Sequence, residues 1–390
     1  MIDAWPMVGK GHAYSSRNIG LVGERNLLPS GGFATLDWRL LWRDLVAGWI
    51  GTHARQIQAA RALRGRYRLI VAVGDIVPIL ASVLARTPFM FIGCAKSSYY
   101  SRWHAYTGLE KRLLRTHCLV TFPRDQLTVE ELRKAKVPTR YVGNPMMDGL
   151  QPLDQDLGLS RHSTAIALLA GSRSDAAKNA IDMLEIAAAI VDRYRRDLSF
   201  VLAAHDDFDV TQFSQSIASS QPASAWRLAA TQAHIAMDPA ALRLAGPQNS
   251  EFLVIKHRFA DVLHRSALAI GMAGTACEQA IGLGVPLIAV PSSGVQGERY
   301  VAMKQVFYGE AAVTLPRNPP QIAEAAYAIL TDEARRNRMI AAGKERMGEP
   351  GASGEIAGAI LEFLGHQTRI RSGQDGDLTD PMPQSGRSLS

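Results

Sequence analysis

Ala165-Ile166-Ala167-Leu168-Leu169-Ala170-Gly171-Ser172-Arg173-Ser174 reads as a short, unbroken apolar strand that runs into a turn and then a helix. A strand without polar alternation is one buried on both faces, as in a parallel sheet covered by helices. Gly171 lets a ligand approach the backbone and Ser172 offers a hydroxyl. Arg173 supplies a planar cationic fork suited to phosphate, beside the outward-pointing amides of a helix start. The same residues also describe an ordinary βα turn with Ser174 as N-cap and Arg173 in solvent, and local sequence leaves both readings open.

A second stretch repeats the design. The strand Ala267–Ile270 ends in Gly271-Met272-Ala273-Gly274-Thr275-Ala276-Cys277-Glu278-Gln279, where small residues open a helix. Gly274 and Thr275 would present amides and a hydroxyl to a diphosphate at the positive helix end. Glu278, three residues beyond Thr275, could grip ribose hydroxyls. Thr-x-x-Glu is equally a capping box that needs no ligand. Gly282-Leu283-Gly284-Val285-Pro286 ends this helix, and Pro291-Ser292-Ser293-Gly294-Val295-Gln296 adds a loop at the same edge. Two phosphate-shaped turns in one half favour the ligand reading more than either turn alone.

Outward from these stretches, strands are expected at Ala4–Val8, Leu69–Val73, Phe89–Ile92, Leu119–Phe122, Arg140–Val142, Ala165–Ala170, Phe200–Ala203, His234–Ala236, Phe252–Ile255, Ala267–Ile270 and Leu287–Val290. Helical patterns lie at about 36–63, 108–116, 126–135, 175–195, 275–283, 319–330, 332–347 and 353–365. This alternation predicts an α/β protein with parallel sheets wound in βαβ units. The pattern pauses at Asn144–Asp156, where Gly143-Asn144-Pro145 is turn chemistry and Gly149–Asp154 reads as a linker. Two Rossmann-like domains, 1–150 and 151–366, would then face each other across a cleft at the carboxyl ends of their strands, where such folds bind ligands. Residues 367–390 are polar and without periodicity, the composition of a disordered tail.

Composition agrees. At 390 residues with 47% apolar and 20% charged side chains, there is ample material for two cores, and disordered or fibrous classes are excluded. Three cysteines without a CxxC pair exclude a disulfide framework and a cysteine zinc site, with a cytoplasmic compartment as the default. No apolar run reaches the roughly 18 residues of a spanning helix. The ten histidines include no HxxxH or HxH spacing with a carboxylate, so no bound metal is expected. The net charge of +7 divides into +11 over residues 1–150 and −4 over 151–390. The front half should therefore meet something anionic: nucleic acid, lipid headgroups or phosphorylated metabolites. Nucleic acid is the weakest of these, since the basic residues follow buried βα patterning without a recognition motif.

Three further features bear on chemistry. Asp75 in Val73-Gly74-Asp75 stands at the carboxyl end of an apolar strand. There it can act as a buried general base, or cap the helix entered through Pro78. Leu28-Pro29-Ser30-Gly31-Gly32-Phe33 is a glycine loop that either admits a substrate or turns the chain. In the helix at 36–63, Trp38, Leu41, Trp42, Leu45 and Trp49 form one stripe flanked by Arg39 and Arg43, either core or a membrane-interface face.

In order and spacing, these stretches resemble the lipid-A-disaccharide synthase family, and within it most closely the lipid-A-disaccharide-synthase-related proteins. The resemblance rests on Val8–Tyr14, Leu28–Phe33, Val71–Pro78, Gly93–Tyr100, Arg124–Thr128, Val142–Asp148, Gly171–Arg173 and Ala273–Gln279, and covers residues 5–365. It implies the GT-B glycosyltransferase architecture. A UDP-sugar donor would lie on the C-terminal domain, and a lipid-linked acceptor would meet the N-terminal domain at an anionic membrane surface. It further implies that Gly171, Ser172, Arg173, Ala273, Gly274, Thr275 and Gln279 hold the donor, Glu278 holds its ribose, and Asp75 is the catalytic carboxylate. Ser30, Gly31, Gly32, Lys96 and Asn144 fall on the acceptor side. No cofactor beyond the sugar nucleotide is implied. The family pattern opens with a strand and a glycine- and histidine-containing loop before its Val-Gly-x-Gly stretch. Here Met1 lies seven residues before Val8, which implies that this first βα unit is missing. The same architecture also serves nucleotide-sugar epimerases and could persist in an inactive binding relative.

Overall fold

The computed structural model describes residues 2–7, 14, 19–23, 49–100, 105–160, 162–194, 196–219, 225–228, 240–294 and 296–371. The loop with Ser30, Gly31 and Gly32, the stripe up to Leu45, and the expected strand His234–Ala236 lie outside the described residues.

Near the amino terminus β1 (Asp3–Ala4) pairs in parallel with β2 (Gly20–Leu21). After α1 (Trp49–Ala62) comes a parallel sheet of β3 (Ile70–Val73), β4 (Phe89–Gly93) and β5 (Cys118–Pro123). It is interleaved with α2 (Ile76–Ala85) and α3 (Gly108–His117) and followed by α4 (Gln126–Lys134). Local chemistry sets the helix starts. Asp75 accepts from Val77 N–H at 2.9 Å, Thr107 and Glu110 form a capping box, and Asp125 caps α4.

The second half starts with β6 (Thr164–Leu169), α5 (Ala176–Tyr194), β7 (Leu198–Ala204), α6 (Val210–Ser219), β8 (Arg227–Leu228), β9 (Ala240–Ala245) and β10 (Glu251–Lys256). It continues with α7 (Phe259–Arg265), β11 (Leu268–Gly271), α8 (Thr275–Gly282), β12 (Leu287–Ala289), α9 (Glu298–Tyr308) and β13 (Ala312–Thr314). Then come α10 (Pro319–Thr331), α11 (Glu333–Met347) and α12 (Ala352–Arg371). Its eight strands lie in the order β13-β12-β11-β6-β7-β10-β9-β8. Successive residues of β6, β7 and β10 serve opposite cores. Ile166, Leu168, Phe200, Leu202, Phe252 and Val254 pack under α5 and α10, while Ala167, Leu169, Val201, Leu253 and Ile255 face α7, α8 and α9. Both faces are dry, which is why these strands show no polar alternation.

The expected α/β architecture of parallel-sheet Rossmann-like units is what the chain adopts, with differences in detail: α6, α7, α9, β2, β8 and β9 are not among the expected elements, and the strand expected at Ala4–Val8 is one only at Asp3–Ala4. The sheet is not wholly parallel, because β9 runs antiparallel to β10 and to β8 at one edge. Arg140–Val142 makes no strand; Thr139 before it bridges to Thr121, the Arg140 amide donates to Thr121 O at 3.0 Å, and Gly143 then turns at φ +96°. The short strand β13 carried too few apolar residues to be read.

A further difference concerns the domain boundary. The chain leaves the first half near residue 150 but returns at Gly348–Gly351. There α12 lays Ala352, Ile356, Ile360 and Phe363 on the face of the first sheet carrying Met90, Ile92, Val120 and Phe122. Asp148 anchors the return, accepting from the Gly351 and Ser353 amides at 2.5 and 2.7 Å. The helix reaches Arg371, so it overruns the boundary expected at residue 367. An apolar face alone does not say which sheet it will cover.

Candidate functional site

The carboxyl ends of β6, β7, β10 and β11 open on one cavity of about 370 Å³. It lies where the strand order reverses, with β7 on one side of β6 and β11 on the other, which is where open α/β sheets place their ligands. Both glycine turns line it: Gly171, Ser172 and Arg173 from the first, Ala273, Gly274 and Thr275 from the second, with Gln279 one helical turn on.

The turns are built to adjoin. Gly171 sits at φ +89°, where a side chain is strained, and a Cβ there would stand 3.8 Å from the Met272 carbonyl oxygen. A Cβ at Gly274 would lie 2.7 Å from both the Tyr300 hydroxyl and the Gln296 amide, so a larger residue would have to displace one of these side chains. The Gln296 side chain bridges the second turn, donating to Met272 O at 3.2 Å and accepting from Gly274 N–H at 3.3 Å. Fully buried Asn179 donates to Ala170 O at 2.9 Å and accepts from both Ser293 N–H and its hydroxyl at 3.1 Å. It thereby pins the Pro291–Gln296 loop beside the first turn.

Neither expected cap is formed, although Arg173 is exposed as the solvent reading of the first turn has it. Helix α5 begins at Ala176, two residues past the serine read as its cap. Helix α8 has Gly274 at its N-cap with no side-chain cap, so the Thr275–Glu278 pattern forms no capping box. Beyond Gly274, whose N–H meets Gln296, the first-turn amides of α8 therefore stand at the cavity without a capping side chain, at the positive end of the helix.

On the opposite wall stand three residues that sequence reasoning missed, His205, Asp206 and His257. His257 holds φ +58° and its Nδ1 lies 2.9 Å from Asp206 Oδ1. Each lies two or three residues beyond an expected strand end, Ala203 or Ile255. The rule that ligands sit beyond strand carboxyl ends was the signal that could have found them.

Several sequence-derived assignments need correcting. Glu278 does not face the cavity. It is 3% exposed and is enclosed by Arg124 at 2.8 Å, by Lys304, and by the Tyr100 hydroxyl at 3.3 Å. Ribose hydroxyls cannot reach that carboxylate, because both of its oxygens are engaged away from the cavity. Burial alone would raise its pKa, but Lys304 and Arg124 override this and hold it at about 2. Asp75 is exposed rather than buried, and it caps α2. Lys96 is paired with buried Glu110 at 2.9 Å. Asn144 is fully buried, donating to Met347 O at 2.7 Å and accepting from Met146 N–H at 3.0 Å, so it fastens the chain crossing rather than facing an acceptor. Gln279, besides lining the cavity, donates to Met146 O at 2.9 Å.

Among the described residues, no three His, Cys, Asp or Glu side chains come together as a metal site, and no helix is long and apolar enough to cross a membrane.

No family model and no curated protein matches the sequence. Solved structures do match in fold. S. aureus MnaA with UDP aligns at TM-score 0.52 and 14% identity over 90% of both chains. CalG4, the calicheamicin glycosyltransferase, aligns at 0.52 and 13% over 91% of this chain and 89% of its own. UDP-GlcNAc 2-epimerase from Neisseria meningitidis, bound to UDP-GlcNAc, aligns at 0.50 and 15% over 80% and 81%. The chain thus has the paired Rossmann-like architecture of the GT-B glycosyltransferases and the UDP-GlcNAc 2-epimerases.

Proposed function

We propose that this protein is a nucleotide-sugar enzyme, a glycosyltransferase that moves a sugar from a UDP-sugar to an acceptor hydroxyl. One observation carries the reading: the turns at Gly171 and Gly274, far apart in sequence, line a single cavity at the switch point of the second sheet. The α8 amides and Arg173 would supply the positive charge that a departing diphosphate needs, so the step requires no metal. Asp75, exposed at the carboxyl end of β3, is the candidate to take the acceptor proton. A lipid-linked acceptor at an anionic membrane is supported by the +11 charge of residues 1–150 and by exposed Arg61 in the last turn of α1 and Arg64, Arg66 and Arg68 after it. The closer likeness to lipid-A-disaccharide synthase belongs to this reading.

Epimerisation is the second reading. An enzyme acting on the sugar nucleotide alone must move protons inside the donor cavity, and His205, Asp206 and His257 put titratable groups there.

Calorimetry with UDP and UDP-GlcNAc tests the nucleotide site. Binding is expected, and Arg173→Ala should weaken it roughly 10- to 100-fold, the worth of a charge-assisted hydrogen bond. A folded chain that binds neither nucleotide overturns the proposal. Conversion of UDP-GlcNAc without any acceptor identifies an epimerase instead.

A further inference from the structure

Helix α8 has two ends of business. Its first turn, at Gly274 and Thr275, meets the cavity, and one turn later Glu278 points the other way into the seam between the halves. Two residues of the first half come to meet it. Arg124, 1% exposed, pairs with the carboxylate through Nη2 at 2.8 Å and donates from Nη1 to Cys94 O at 3.0 Å. Tyr100 donates its hydroxyl to Glu278 at 3.3 Å and accepts from Lys304 of α9 at 2.5 Å. Phe307 closes the group from below, stacked on Tyr100 at 4.9 Å and 4.6 Å from the Arg124 guanidinium carbon.

Burying three charges is a poor way to gain stability, since apolar residues of similar volume do as well. What such a cluster does gain is a single geometry, because every donor must find its acceptor out of water. Here that geometry joins α8 to the half expected to carry the acceptor.

We propose that Arg124, Tyr100, Glu278 and Lys304 form an interdomain brace that sets the amino-terminal turn of α8, and with it the donor cavity, against the first half. Glu278 is then a positioning residue and not a ribose ligand. The inference rests on the nucleotide reading of the cavity.

The test compares UDP with 2′,3′-dideoxyuridine diphosphate, which lacks both ribose hydroxyls, by calorimetry on the full chain. The brace predicts that Glu278→Gln weakens both nucleotides by one common factor, about 3- to 30-fold. Arg124→Met, a change in the other half, should do the same. Loss confined to UDP would make Glu278 a ribose ligand, and no loss for either nucleotide would leave the cluster without influence on the cavity; each result overturns the proposal. Should Arg124→Met fail to fold, Arg124→Lys, which keeps the charge but not the fork, takes its place. If the wild-type chain binds neither nucleotide, the functional reading fails on its own. The brace is then judged by a double-mutant cycle of Arg124 and Glu278 in urea unfolding, where additive losses overturn it.

Discussion

In the second half, β6, β7 and β10 are buried on both faces by helices of the same half, whereas β3 in the first half leaves Val71 and Val73 37% and 49% exposed. The described first sheet has three strands, and it covers one face with α12, taken from the far end of the chain. The second sheet covers both of its faces mainly with helices of its own half. A sheet packed on both sides holds its strand ends rigidly. It is at those ends that two glycine turns, a pinned loop and uncapped helix amides are held together. The first half instead contributes side chains that reach across the seam, Tyr100 and Arg124.

The largest expected effect tests that contrast in packing. Phe252→Ala, which removes a fully buried ring packed on Trp226 and Phe213, should cost about 3–5 kcal/mol of unfolding free energy. Val73→Ala should stay within about 0.5 kcal/mol. Urea unfolding of both variants decides it, and equal losses would erase the difference between the halves.

Next comes the seam. Glu278 is held at about 2 against an ordinary 4.5, so its ionised form is favoured by folding. Its contribution is complete above about pH 4.5 and is lost as the pH falls through about 2, on the order of 3 kcal/mol over that window. Unfolding free energies between about pH 5 and pH 2 should therefore fall more steeply for the wild type than for Glu278→Gln. Parallel slopes would mean that the seam carries no such charge.

A smaller effect than that of the seam belongs to Asp75. As the N-cap of α2, its replacement by Ala should cost about 1 kcal/mol, while Asn, an equally good cap, should cost only a few tenths. Thermal unfolding measures this. If Asp75 is also the base, both variants lose about 100-fold or more in turnover, so Asp75→Asn separates the two roles.

Much of this was legible in the chain. The unbroken run Ala165–Ala170 announced a strand covered on both faces, and the small residues after it and after Ile270 marked the two turns that line the cavity. Glu278 was misread for a physical reason. Thr275-x-x-Glu278 has the spacing of a cap and of a ribose grip, and both concern only the helix itself. The partners that turned the carboxylate away, Arg124 and Tyr100, stand more than a hundred residues earlier. Nor did anything local say that α12 would leave its own half.

The sequence by itself determined the βα alternation and the elements that frame the cavity, because apolar periodicity, turn glycines and helix caps act over a few residues and need no distant partner. Only the tertiary structure decided which turns share a cavity, which carboxylate is buried in a charged seam and which is left in water. Those outcomes depend on how much surface each half can cover, and on which charges meet once water has been excluded.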